Sequence, residues 1–117
     1  MYSKTKKKEQ NMKHYNNQKV FRFKLEPKNK YNTYTTWNWK ALLTAMETLS
    51  PIAFKLYMYI GTYKNSTEFI LSRNIACEKL NISTSSYHRA IKELQEKEYI
   101  IKDESSNATK DYYIYIE

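Results

Sequence analysis

The sequence predicts an α+β fold within a single domain, and three observations carry that prediction. The chain has 117 residues, enough for one modest core and short of the size that divides in two. Ser50, Ser72 and Ser83 each stand immediately before a run with apolar residues at helical spacing, where a serine side chain caps free backbone N–H groups. The short β-branched and aromatic runs "EFIL", "YIIK" and "YYIYIE" fall between or after those helical runs.

Taken in order, residues 1–18, "MYSKTKKKEQNMKHYNNQ", are polar and charged without apolar periodicity, which predicts a flexible basic arm. Residues 19–49 read as a strand and a helix. In "KVFRFKLE" Phe21, Phe23 and Leu25 share one face and Arg22, Lys24 and Glu26 the other, with Val20 out of phase; Pro27 ends the strand. In "TWNWKALLTAMETL" Thr36 is a possible N-cap, and Trp39, Leu42, Leu43, Met46 and Leu49 form a stripe expected to be buried.

From residue 50 to 117 the punctuation is sharper. Ser50 followed by Pro51 starts a helix whose inward stripe is Ala53, Leu56, Tyr57 and Ile60, with Gly61 near its end, where the residue's freedom is often used. Phe69 to Leu71 form a brief strand. Ser72 caps a helix to Leu80 with Ile75, Ala76 and Leu80 inward and Cys77 packed as a small hydrophobe. Asn81 stands at the turn, where it tolerates the left-handed conformation. Ser83 then caps a helix over Thr84 to Lys97, which sets Tyr87, Ala90, Ile91 and Leu94 on a core face and Ser85, His88, Arg89, Lys92 and Glu96 on a free face. Tyr99–Lys102 and Tyr112–Glu117 pair as a hairpin with "DESSNATKD" as its long tip.

Helix, short strand, helix, turn, helix and hairpin is the order of a winged helix-turn-helix, here with an N-terminal strand and helix extension. The segments "LSPIAFKLYMYI", "FILSRNIACEKLNISTSSYHRAIKELQEKEYII" and "YYIYI" resemble the winged helix-turn-helix proteins of plasmids and phages, including replication initiators, replisome organisers and conjugation accessory proteins. The resemblance covers Leu49 to Glu117, with Asn81 where the turn usually has glycine and Glu98 where glycine commonly precedes the first wing strand. It implies that Ser83, Thr84, Ser85, His88, Arg89 and Lys92 face the major groove of double-stranded DNA. Small hydroxyls at a helix start suit phosphate, and an arginine suits a guanine edge. The competing reading leaves Arg89 and Lys92 as solvated positions paired with Glu93 or Glu96. In the hairpin, Lys102 and Lys110 are candidates for phosphate contact, or are simply solvated.

Charge adds a second candidate surface. Of the net +8, residues 1–40 carry eleven Lys/Arg and two Asp/Glu, a net +9, and the remainder totals −1. That basic segment interleaves aromatic residues, and its strand supplies Arg22 and Lys24 as further DNA-binding candidates. A membrane partner is not expected: no apolar run approaches the roughly 18 to 20 residues of a span, and the arm has no apolar stripe. The lysine-rich N-terminus and the single cysteine, Cys77, are consistent with a cytoplasmic protein. Twelve tyrosines beside abundant Lys, Asn and Ile reflect AT-rich codon usage and carry no mechanism.

Catalysis is not expected either. One glycine cannot build a phosphate-binding loop, one cysteine and two histidines supply no zinc set, and His88 has no Asp or Cys partner at fixed spacing. The function expected is non-catalytic DNA binding at an origin of replication or transfer, with a homodimer plausible and no cofactor. Transcriptional regulation is the close alternative, and a module that docks replication or conjugation proteins is the rival from another class.

Overall fold

A computed structural model describes residues 18–23 and 36–117. Residues 1–17 of the predicted arm, together with Lys24, Leu25 and the polar connection that follows, lie outside the described residues, and Gln18, the last residue assigned to the arm, belongs to the first strand. Among the described residues the fold is α+β, with four helices and one four-stranded mixed sheet: β1 (Gln18–Arg22), α1 (Trp39–Thr48), α2 (Pro51–Gly61), β2 (Glu68–Leu71), α3 (Arg73–Leu80), α4 (Thr84–Glu96), β3 (Ile100–Lys102) and β4 (Lys110–Tyr115).

The sheet order is β2-β1-β4-β3. β1 runs antiparallel to β2, with Phe21 opposite Phe69, and parallel to β4, with Phe21 opposite Tyr113; β3 and β4 form the expected antiparallel hairpin, with Ile101 opposite Ile114. The first strand is therefore paired on both sides, an integral member of the sheet and not an appendage. Its burial departs from simple alternation: successive side chains point to opposite faces, yet Val20 and Phe21 are both buried.

The helices cover one face of the sheet, and tyrosine rings fill much of the space between. Phe21 stacks on Tyr113 with centroids 5.3 Å apart, and Tyr57 stacks on Tyr115 at 4.7 Å. A buried phenol needs a partner. The Tyr57 hydroxyl donates to the Ile116 carbonyl at 2.7 Å, and the Tyr115 hydroxyl to the Tyr57 carbonyl at 2.8 Å. Burial pushes the Tyr57 and Tyr113 hydroxyls up to about 12. The tyrosine richness thus has a structural use that composition did not suggest.

α2 follows the expectation: the Ser50 hydroxyl accepts from the Ala53 N–H, Pro51 opens the helix, and Ala53, Leu56, Tyr57 and Ile60 are buried. Gly61 serves a different purpose from the one expected. The helix is capped by Thr62 in right-handed conformation, and a Cβ at Gly61 would collide with the Trp37 ring and the Tyr115 hydroxyl, so the glycine permits close approach. α3 is capped by Ser72 and buries Ala76, but Ile75, expected inward, is half exposed. In eight residues two apolar side chains one position apart point about 100° apart, and only one of them meets the core.

α1 departs furthest from expectation. Its cap is Asn38, whose Oδ1 accepts from the N–H groups of Lys40 and Ala41 at 3.0 and 3.2 Å, so the helix begins two residues later than a Thr36 cap would have it. Ala45 and Leu49 are buried, whereas Trp39, Leu43 and Met46 lie exposed. Trp37, just ahead of the helix, takes the place expected for Trp39, tilted against Tyr57 at 6.1 Å. The buried Lys64 ammonium lies 3.7 Å from the centroid of the Trp37 ring, donates to the Thr36 carbonyl, and meets the Glu117 carboxylate at 2.8 Å. Glu117 in turn accepts from the Asn38 N–H at 2.7 Å. A residue 53 positions from its partner has no signature in local sequence.

Candidate nucleic-acid interface

α3 and α4 meet at a tight turn. Asn81 takes φ 57° and ψ 52°, as expected for the turn, and the N–H groups of Asn81 and Ile82 both point to the Cys77 carbonyl. Ser83 then caps α4, accepting from the Ser86 N–H at 3.1 Å. Tyr87, Ala90, Ile91 and Leu94 are buried as the stripe predicts, and this fixes which way the rest of the helix faces. Ser83, Thr84, Ser85, His88, Arg89 and Lys92 are all exposed along its first two and a half turns. The fold brings these six together on one surface.

Two of them are linked through a residue that the sequence pattern did not single out. The Ser83 hydroxyl donates to the Ser86 hydroxyl at 3.0 Å, and the Arg89 guanidinium donates to the same Ser86 hydroxyl at 3.4 Å. The signal was present: 83, 86 and 89 repeat at three residues, one helical turn apart. Arg89 is therefore held beside the helix N-terminus by the neutral Ser86 hydroxyl, and its planar fork suits a phosphate or a guanine edge.

Of the two glutamates near these cations, Glu93 is engaged elsewhere. Glu93 turns away from this surface to the start of α2, where its carboxylate accepts from the Ser50 N–H and from the Ser50 hydroxyl, each at 2.7 Å, and pairs with Lys97 at 3.3 Å. Burial would push the Glu93 carboxyl up, but the two Ser50 hydrogen bonds and Lys97 outweigh it and hold the group below the usual carboxylate range. A negative charge there also faces the positive end of α2. Lys97 donates to the Thr48 carbonyl, so this cluster locks α4 to the junction of α1 and α2. Glu96 is exposed and lies 3.9 Å from Lys92, a loose pair one turn apart.

The hairpin presents its cations differently. Lys102 pairs with Asp111 at 3.5 Å, whereas Lys110 is exposed at the base of the tip. Asn107 organises that tip, its side-chain oxygen accepting from the N–H groups of Thr109 and Lys110. Arg22 reaches across from β1: its guanidinium lies over the Tyr112 ring at 4.0 Å and contacts Asp103 at 2.9 Å, Ser105 at 3.3 Å and Glu68 at 3.3 Å. Arg22 thus ties the hairpin tip to the central strand. Lys19, half-buried above Tyr113, has its ammonium pushed down by burial and by Lys102, against the opposing pull of Asp111. Lys24 lies outside the described residues.

Among the described residues no three His, Cys, Asp or Glu side chains stand close enough to hold a metal ion, and no helix is long and apolar enough to cross a membrane. Compared with protein-family models, with curated proteins and with solved structures, the chain matches none of them.

Proposed function

We propose that the chain is a winged helix-turn-helix protein that binds double-stranded DNA without catalysis and acts at an origin of replication or conjugative transfer on a plasmid or other mobile element. The observation that carries this reading is the exposed start of α4, where a capped helix end, three hydroxyls, His88, Arg89 and Lys92 share one surface while Glu93 is turned back to Ser50. The order from α2 to β4, with its left-handed Asn81 turn, supports the winged-helix assignment; β1, between β2 and the hairpin, is an addition to that pattern.

In this reading the first turns of α4 enter the major groove. Ser83, Thr84 and Ser85 contact phosphate, and Arg89 reads a base edge with His88 and Lys92 beside it. Lys110 and, after release from Asp111, Lys102 reach flanking phosphates. The basic N-terminal segment adds affinity without sequence preference, so removing residues 1–18 is expected to flatten the salt dependence by about 0.9 in logarithmic slope for each phosphate that the arm neutralises. Regulation of transcription from the same DNA is the neighbouring role. The pairing of Lys102 and Arg22 with carboxylates favours one alternative, in which the hairpin docks a replication or transfer protein and α4 alone meets DNA.

The test is protection footprinting on the DNA flanking the chain's own gene, with Arg89→Ala/Lys92→Ala beside the wild type. A discrete footprint that disappears in the variant supports reading by α4. A footprint that survives moves recognition to the hairpin and N-terminal segment, and the absence of any footprint sinks the DNA-binding proposal.

A further inference from the structure

Two apolar stripes remain exposed or half-exposed on α1 and α2. On α1, Trp39, Leu43 and Met46 recur at i, i+4 and i+7 and are 65, 48 and 56% exposed. On α2, Phe54 and Met58 lie opposite the buried face and line an open apolar groove with Pro51 and Leu80. The two helices run antiparallel: Leu49 leads straight into Ser50 at one end, and Trp37 packs against Tyr57 and Gly61 at the other. Ala45 and Leu49 mark the packed side of α1. At about 100° per residue the stripe of Trp39, Leu43 and Met46 is centred about a third of a turn from them, clear of the packed side. Exposed apolar surface of this kind marks an interaction site.

We propose that this surface joins two copies of the chain, packed about a two-fold axis with their α1 helices antiparallel. The charges select a second copy as the occupant. Lys40 and Glu47 are exposed on one flank of α1, seven residues and about two turns apart. A two-fold axis crossing α1 between Leu43 and Thr44 sets Lys40 of each copy beside Glu47 of the other, twice in one interface. The described residues hold twelve Lys/Arg and ten Asp/Glu, a net of +2, so these parts of two copies meet with little net repulsion.

The helices are 10 and 11 residues long. Two such helices side by side present at most a face of roughly 16 by 20 Å, about 300 to 400 Å² per copy. That is below the ~800 Å² per partner of a standard interface, so the pair is weak, with a dissociation constant on the order of micromolar or above. The proposal does not depend on DNA binding, and its test uses none.

Sedimentation equilibrium of the full chain without DNA, from about 1 to about 300 μM, reads the association directly. The wild type is expected to show a monomer–dimer equilibrium. Lys40→Glu and Glu47→Lys, both at solvent-facing positions, are each expected to weaken it roughly tenfold by setting like charges together, and the double swap Lys40→Glu/Glu47→Lys to restore it. Leu43→Glu is expected to leave a monomer, and circular dichroism checks that the helices persist. A wild type that stays monomeric throughout, a dimer indifferent to both single swaps, or a double swap that fails to recover would each overturn the proposal.

Discussion

The start of α4 and the β3–β4 hairpin each carry two long basic side chains, and apart from the exposed Lys110 of the hairpin the fold treats them differently. Arg89 is steadied by the Ser86 hydroxyl, and Lys92 has a loose, solvent-exposed partner in Glu96. In the hairpin Lys102 is matched by Asp111, and Arg22 arrives from β1 to occupy Asp103. A phosphate that replaces a carboxylate partner must first break that pair, whereas one that approaches Arg89 displaces mostly water. Counting cations therefore does not rank the two regions, and the group opposite each cation does. The acidic side chains follow the same logic: Glu93, next in sequence to Lys92, is committed to Ser50 and Lys97.

This contrast can be broken or sharpened in order of expected size. Leu94→Ala empties a fully buried position under α4 and is expected to cost about 2 to 5 kcal/mol, read as a lowered denaturation midpoint with an unchanged slope. A smaller loss would mean that the core face of α4 is not what orients its exposed face.

Next in size is the Glu93 anchor. Glu93→Gln keeps the shape but loses the charge that Ser50 and Lys97 address, and about 1 to 3 kcal/mol of stability is expected to go with it. The sign with pH follows from the lowered carboxyl. Stability from Glu93 is fully present above the unfolded-state value near 4.5 and is lost as the pH falls through the folded-state value, so the gap between wild type and variant should close under acid. A gap independent of pH would contradict the assignment. The tyrosines act at the other end of the scale. Tyr57 and Tyr113, raised to about 12, contribute stability that is present below an unfolded-state value near 10 and lost as the pH rises toward 12.

Glu98 sits between the two regions with φ 63°, a conformation that costs a side-chain-bearing residue about 1 to 2 kcal/mol. Glu98→Gly relieves that strain at some expense in chain entropy and is expected to raise stability by about 0.5 to 1 kcal/mol, which thermal denaturation would resolve. The smallest effect is expected from Arg22→Ala. Its ion pairs are partly exposed and contribute under about 1 kcal/mol, so the sheet should survive while hydrogen exchange at the hairpin tip quickens.

What the sequence made legible was local. Ser50–Pro51, Ser72, Ser83 and Asn81 are punctuation whose chemistry acts within a few residues, and each stands in the structure where its chemistry predicts. The stripe of α4 was readable because its free face is strongly polar. α1 was not, because apolar residues surround much of the helix and periodicity alone could not choose a face; the choice rests on Trp37, held by Lys64 and Glu117 from distant parts of the chain. The central position of β1 was hidden for a related reason, since its partners β2 and β4 lie far along the chain and no local pattern names them. The exposed surface of α4 was anticipated residue by residue, but its independence from Glu93 depends on a contact across 43 positions that no local pattern announces.

The central claim is that the start of α4, and not the hairpin, makes the dominant contact with DNA. The most direct measurement is an equilibrium binding titration, on the DNA protected in footprinting, of Arg89→Ala/Lys92→Ala against Lys102→Ala/Lys110→Ala, repeated across salt concentrations. The α4 pair is expected to lose about 2 to 4 kcal/mol of affinity and to relax discrimination against altered sites, while the hairpin pair loses less, shows a flatter salt slope and keeps its discrimination. Equal or greater loss of affinity and discrimination in the hairpin pair would contradict the account.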